Sequence, residues 1–266
     1  MTKIIAELCQ NHNGDIKILE EMVHAASEAG ADYAKIQSLH SDELTHRKRF
    51  DDGLVEGNKV KVIKRPYKAE YDRLKKLDLS ETDHIKFIEY CEKYKIKPLT
   101  TIFSLGKIEM VNKYFKEVKI SSFDCASHRL IKEISSKNFD HVIVSTGATF
   151  NREIQKTSEI LKKANKSFSL LHCVSIYPTP IEFANITRIN FLKNFSSSIG
   201  VSDHSNPEIN KNIVAAVSFY LGIDVLEKHF TILGKDKTKD GPVSANPEQL
   251  KEIVELSKSN KENIKN

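Results

Sequence analysis

Two hydrophobic periods alternate along nearly the whole chain, and this alternation constrains the fold more than any other feature of the sequence. Short β-rich runs occur at 4–9 (IIAELC), 33–38 (YAKIQS), 98–103 (PLTTIF), 118–122 (VKISS), 141–146 (HVIVST), 167–173 (SFSLLHC), 197–203 (SSIGVSD) and 225–230 (VLEKHF). Between and after them lie helix-length stretches at 16–29, 81–94, 105–115, 127–137, 151–164, 186–194, 207–221 and 246–258. The first of these puts Ile16, Leu19, Val23 and Ala26 on one face, and the second Ile85, Ile88 and Cys91. Eight strand–helix alternations predict an α/β fold in which a parallel sheet closes into a (β/α)8 TIM barrel. A doubly wound open sheet is the alternative. The lack of a GxGxxG after the first run counts against its dinucleotide-binding version. A length of 266 residues suits a single barrel domain over 1–266. Ser80 is placed to cap the second helix, with Asp83 three residues on, while Asn206-Pro207 and Asn246-Pro247 read as the openings of the last two helices. The stretch 41–80 is basic and poorly periodic. It is expected to be an elaborated loop after the second strand, or else a disordered insertion.

Composition narrows the class. No apolar run reaches the ~18 to 20 residues of a membrane span, and the opening MTKIIAELCQNHNG is broken too early for a signal peptide. The four cysteines (Cys9, Cys91, Cys125, Cys173) form no CxxC, which argues against a zinc ribbon or a disulfide scaffold and for a reduced, cytoplasmic protein. The formal net charge is +5, yet 34 of the 41 basic residues are lysines spread along helical surfaces. Nucleic-acid footprints more often cluster arginine with aromatics, so neither nucleic acid nor membrane is expected as a partner.

In a barrel the chemistry lies at the C-terminal ends of the strands. Those ends carry Glu7, then Lys35 and Gln37, Thr101, Lys119 with Ser122 and Asp124, Ser145, Ser175 with Tyr177, Ser202 with His204, and Glu227 with His229. So many polar groups on apolar strands mark a wet, functional mouth, because buried polar groups without partners are costly. Two lysines, a glutamine and several hydroxyls suit a phosphate or carboxylate. His204 and His229, on neighbouring strands, are either a shared divalent-cation site or two structural histidines. Glu7 is either a general acid or base, or the salt-bridge partner of Lys35 or Lys119. Lys35 is also a candidate Schiff-base lysine.

At these residues the chain resembles the sialic acid synthase family, which condenses phosphoenolpyruvate with an amino sugar. The resemblance runs from about residue 3 to 258 through AELCQNHNGD, EAGADYAKIQ, LTTIFS, VKISSFD, VIVSTGA, LLHCVSIYPTP, GVSDHS and LEKHF, in family order. It implies a divalent cation, manganese first with magnesium or cobalt as alternatives, on His204 and His229. It places the phosphoenolpyruvate pocket at Lys35, Gln37, Thr101, Lys119, Ser122, Ser145, Ser175, Tyr177 and Ser202, gives Glu7 proton handling and water activation, and sets Glu227 beside the metal. Asp124 stands where the family often has a glutamate that touches the acceptor sugar. Two departures concern the acceptor: SSFD replaces the family's GSGE, putting Phe123 in place of a glycine, and KDGPVS replaces its PGPD, leaving Asp240 as the nearest substitute. The family's C-terminal antifreeze-like domain has no counterpart in these 266 residues. The resemblance therefore implies a 2-keto-3-deoxy acid product, of the nonulosonic kind used in surface polysaccharides, from an acceptor other than N-acetylmannosamine. The alternative expectation is that a homodimer or a partner chain completes the acceptor site. The alternatives are a non-catalytic barrel subunit and a Schiff-base aldolase.

Overall fold

Alternation along each strand sends every second side chain into the barrel and the others toward the helices, and the apolar residues accordingly fall into two separate cores. The computed structural model describes residues 2–259 save 45, 47, 58, 63 and 65. Eight parallel strands, β1 (Lys3–Cys9), β2 (Tyr33–Ser38), β3 (Lys97–Ile102), β4 (Glu117–Ile120), β5 (His141–Ser145), β6 (Phe168–Cys173), β7 (Ser198–Asp203) and β8 (Val225–His229), close into a barrel in sequence order. The seam joins β8 to β1, with Glu7 opposite His229 on one side and Lys35 on the other. The outer helices are α1 (Ile16–Glu28), α2 (Glu81–Lys93), α3 (Ile108–Tyr114), α4 (His128–Ser135), α5 (Asn151–Lys163), α6 (Ile189–Leu192), α7 (Ile213–Tyr220) and α8 (Pro247–Lys258).

Inside the barrel, Ile5, Tyr33, Leu99, Ile143, Leu171 and Val225 form a closed apolar plug of their own. Gly200 of β7 makes room for it, since a Cβ there would lie 2.4 Å from a Leu171 methyl and 2.3 Å from the Val225 carbonyl oxygen. The much larger outer core packs strands against helices. The plug sets the register of the chemistry. Two residues further along each of its strands stand Glu7, Lys35, Thr101, Ser145, Cys173 and Glu227, one pleat nearer the C-terminal mouth.

The expected caps at the second and eighth helices form. Ser80 and Asp83 make a reciprocal capping box for α2, and Asn246 with Gln249 makes one for α8, with Pro247 in its first turn. The seventh helix differs. The Asn206 side chain accepts from the Glu208 and Ile209 amides, which closes a turn rather than a helix, and α7 begins only at Ile213. The stretch 41–80 after the second strand carries secondary structure of its own, as an elaborated loop would, and is not simply a disordered insertion. Its described residues include a short helix Arg49–Asp52, a hairpin of Leu54–Glu56 with Lys59–Val62, and a helix Tyr67–Lys75. The last leans on the mouth, because Arg73 pairs with Glu70 and donates to the Gln10 side chain at 3.0 Å in the loop after β1. No helix among the described residues is long and apolar enough to cross a membrane.

Candidate active site

Above the plug lies a ring of buried charge. Lys35 pairs with Glu7 and donates to Thr101 Oγ1 at 2.9 Å, while Glu227 Oε2 lies 3.4 Å from the same ammonium. Lys119 pairs with Glu227 Oε1, which also accepts from Ser202 Oγ at 2.6 Å. The backbone amide of Cys9 donates to Glu7 Oε1 at 2.7 Å. The sequence left Glu7 open between proton transfer and a salt bridge, and here it is joined to Lys35. Two lysines and two glutamates, each 5 % exposed or less, thus neutralise one another within the barrel. Charges this far from water require such pairing.

The environment tunes these groups in opposite directions. Burial lowers Lys35 to about 7, with Glu227 opposing the fall and Lys119 adding to it. Burial pushes Glu227 upward, but Lys119 and Lys35, with hydrogen bonds from Lys119 and Ser202, outweigh it and hold the carboxyl below the usual range.

Beside the ring is a cradle of small polar groups. A Cβ on Gly147, which follows β5, would lie 2.6 Å from both Cys173 Sγ and Ser175 Oγ and 2.9 Å from Ser122 Oγ. The Gly147 amide donates to Ser122 Oγ at 3.0 Å. Ser145 Oγ is buried nearby without a hydrogen-bond partner among the described residues. Hydroxyls and an amide gathered where only a glycine can stand suit the oxygens of an anion. Sequence reading missed Gly147 and Cys173, whose signal was the parity that puts residues 145, 147, 173 and 175 on the inner face.

A third group lies at the rim. Tyr177 stacks on His204 with ring centroids 4.0 Å apart, and its hydroxyl lies 2.9 Å from His204 Nε2. The rings of His204 and His229 are 5.4 Å apart. His204 Nδ1 faces the Val174 carbonyl oxygen at 2.9 Å, which can only accept, so the proton sits on Nδ1 and Nε2 presents a lone pair. Burial lowers His204 to about 4 and His229 well below its ordinary value, leaving both neutral. His229 Nδ1 is buried without a hydrogen-bond partner among the described residues, 4.0 Å from Asp240 Oδ2. Two neutral imidazoles beside a carboxylate, one offering an unpaired Nδ1 and the other an Nε2 that meets only hydroxyls, fit a divalent cation.

The remaining residues are placed as follows. Gln37 follows Lys35 on the inner face of β2, opposite Thr101. Asp124 lies in the turn Ser122–Asp124 after β4, where it accepts from Ser121 Oγ at 2.9 Å and Ser127 Oγ at 3.2 Å, and Phe123 beside it is 84 % exposed. Asp240 comes to the histidine rim. Lys228 points away from the barrel interior, donating to Asp203 and to the Ser205 carbonyl oxygen at 2.8 Å each, as a buried structural pair.

The comparisons with known proteins agree with this architecture. Residues 22–266 match the NeuB family. An uncharacterised protein of Methanocaldococcus jannaschii is 36 % identical over 260 residues, covering 95 % of this chain and 69 % of that one. The N,N'-diacetyllegionaminic acid synthase of Legionella pneumophila is 31 % identical over 263 residues, covering 95 % and 70 %. Among solved structures, the N-acetylneuraminic acid synthetase of Leptospira borgpetersenii in complex with citrate superposes with a TM-score of 0.82 at 28 % identity, covering 99 % of this chain and 83 % of that one. With its family motifs carried on the inner face of a closed parallel barrel, this chain belongs to the NeuB family.

Proposed function

We propose that this protein condenses phosphoenolpyruvate with the aldehyde of an open-chain sugar, giving a 2-keto-3-deoxy sugar acid and phosphate. The observation that carries this reading is the buried ring of Lys35, Lys119, Glu7 and Glu227 beside the Ser122–Gly147–Ser175 cradle. The synthase names of the family's relatives support it.

The two lysines meet the substrate as ammoniums balanced by wall carboxylates. They exchange part of that pairing for the phosphate and carboxylate of phosphoenolpyruvate, with the cradle hydroxyls and the Gly147 amide receiving phosphate oxygens. Held so, C3 of phosphoenolpyruvate attacks the aldehyde carbon: the enol π electrons form the C3–C1 bond, the carbonyl π electrons move onto the aldehyde oxygen, which takes a proton from solvent to become a hydroxyl, and C2 is left cationic. Water adds to C2, and Glu7 takes its proton. The tetrahedral intermediate breaks its C2–O bond, phosphate leaves with the bridging oxygen, and the C2 hydroxyl becomes the ketone on loss of its proton. Tyr177, half exposed over His204, covers the rim against bulk water. His204 and His229 would hold a divalent cation, manganese, magnesium or cobalt, which supplies Lewis-acid polarisation of the sugar carbonyl when bound.

The test is phosphate release from phosphoenolpyruvate across a panel of neutral and N-acetylated aldoses. Release that requires both substrates is expected. Release from phosphoenolpyruvate alone at the same rate would contradict the condensation. A second reading, a Schiff-base aldolase, is favoured by one observation, the depressed Lys35 ammonium. It requires borohydride trapping of pyruvate on Lys35, and the condensation reading predicts none.

A further inference from the structure

We propose that Cys9 and Asp240 are themselves ligands of the rim cation, making with His229 a site that contains a thiolate and prefers zinc, cobalt or ferrous iron over manganese or magnesium. This rests on the reading above that the rim holds a cation, and goes beyond it in assigning two further ligands and the class of metal.

Cys9 ends β1, His229 ends β8, and Asp240 lies in the loop after β8, yet a ligand atom from each lies within 4.8 Å of the others. Among the described residues it is the one group of three His, Cys, Asp or Glu side chains so arranged. Ligands around one tetrahedral cation, at about 2.0–2.3 Å from it, stand roughly 3.4–3.8 Å apart. The three atoms therefore stand within about an ångström of the spacing that one cation needs.

A second observation points to a ligand. His229 is 5 % exposed, and its Nδ1, with no hydrogen-bond partner among the described residues, faces Asp240. A buried polar atom left unpaired is costly unless something binds it. The backbone is consistent with a placed thiol. The β1–β2 register shifts between Glu7 and Cys9, and Cys9 adopts φ +41°, a left-handed conformation that glycine takes without steric cost. The bulge makes Cys9 part of the rim, whereas Cys91 and Cys125 lie in the outer core.

The choice of metal follows from the donors. Manganese and magnesium favour oxygen, whereas thiolate with imidazole favours zinc, cobalt and iron. On binding, the Cys9 thiol releases its proton to solvent and the S–metal bond forms, with no change of oxidation state.

The full chain, stripped by chelation and titrated with cobalt(II), provides the test. The expected result is a sulfur-to-cobalt charge-transfer band in the near ultraviolet, with one equivalent bound. Cys9→Gly keeps the backbone conformation and removes the thiol. It should lose that band, still bind cobalt, and show its zinc-over-manganese preference in equilibrium dialysis reduced at least tenfold. Asp240→Asn should keep the band and bind at least tenfold more weakly, and Cys91→Ala should match the wild type. Cobalt binding without the band, or a band that survives Cys9→Gly, overturns the thiolate site while leaving a histidine-held cation standing. No cobalt, zinc or manganese binding at all overturns both.

Discussion

Glu227 is the carboxylate that both barrel lysines share, and Glu227→Gln isolates what that sharing is worth. The change keeps the shape of the side chain and its hydrogen bond to Ser202 but leaves Lys35 with Glu7 alone and takes from Lys119 the carboxylate it pairs with. Across 3.4 Å the attraction of Lys35 for Glu227 is about 5 kcal/mol at an effective dielectric near 20. Lys119 adds a second pair at closer range. Against this stands the desolvation of the carboxylate, which the amide avoids. The net cost of breaking such a buried pair is about 3–5 kcal/mol, and in a chain of this size that lowers Tm by roughly 10 °C. The cost should depend on pH in a defined direction. Lys35 is held at about 7 in the wild type, and loss of Glu227 lowers it further. Above pH 7 Lys35 is neutral in both proteins, so its share of the penalty vanishes. Below pH 7 the wild type holds the proton and the variant does not, so the penalty grows as pH falls. Urea unfolding at pH 6 and pH 8.5 reads this directly. A cost below about 1 kcal/mol at pH 6, or one larger at pH 8.5, would refute the paired-charge account.

Further expectations follow from other parts of the mouth. Replacing Gly147 with alanine puts a methyl 2.6 Å from Cys173 Sγ and Ser175 Oγ, so steady-state kinetics should show KM for phosphoenolpyruvate at least tenfold higher; an unchanged KM would remove the cradle from the site. Because Lys35 loses its proton above about pH 7, phosphoenolpyruvate affinity measured by calorimetry should fall as pH rises from 7 to 9, and a rising affinity would contradict its role. His12 is buried and lowered to about 4, so unfolding to an ordinary value near 6.5 takes up a proton. Stability should therefore drop by about 3 kcal/mol as pH falls from 6.5 to 4, and His12→Gln should remove that part of the slope in acid unfolding curves.

The barrel was legible in the sequence because its parity is strict. One face of each strand must fill a narrow lumen, so an apolar plug residue followed two places later by a polar one, as in Ile5 and Glu7, Tyr33 and Lys35 or Val225 and Glu227, marks both the fold and the level of the chemistry. What escaped depends on contacts distant in sequence. The helix Tyr67–Lys75 has only Leu74 fully buried, so it shows little amphipathic period, and it is held by polar contacts such as Tyr71 to Asp42 and Arg73 to Gln10. The late start of α7 escaped because Asn-Pro serves a turn as well as a helix. The choice of Lys35 rather than Lys119 as the partner of Glu7 depends on barrel register, and the approach of Cys9 to Asp240 depends on a one-residue bulge. Neither leaves a mark in local periodicity.

In the proposed condensation phosphate leaves by cleavage of its bond to carbon, and the fate of one oxygen atom tests it. Phosphoenolpyruvate labelled with 18O at the bridging position is turned over with an accepted aldose, and phosphate and keto acid are analysed by mass spectrometry. The expected result is the label in phosphate and an unlabelled keto acid that carries the sugar's carbon chain. Label retained in pyruvate or in the keto acid, with unlabelled phosphate, means cleavage at phosphorus and would contradict it.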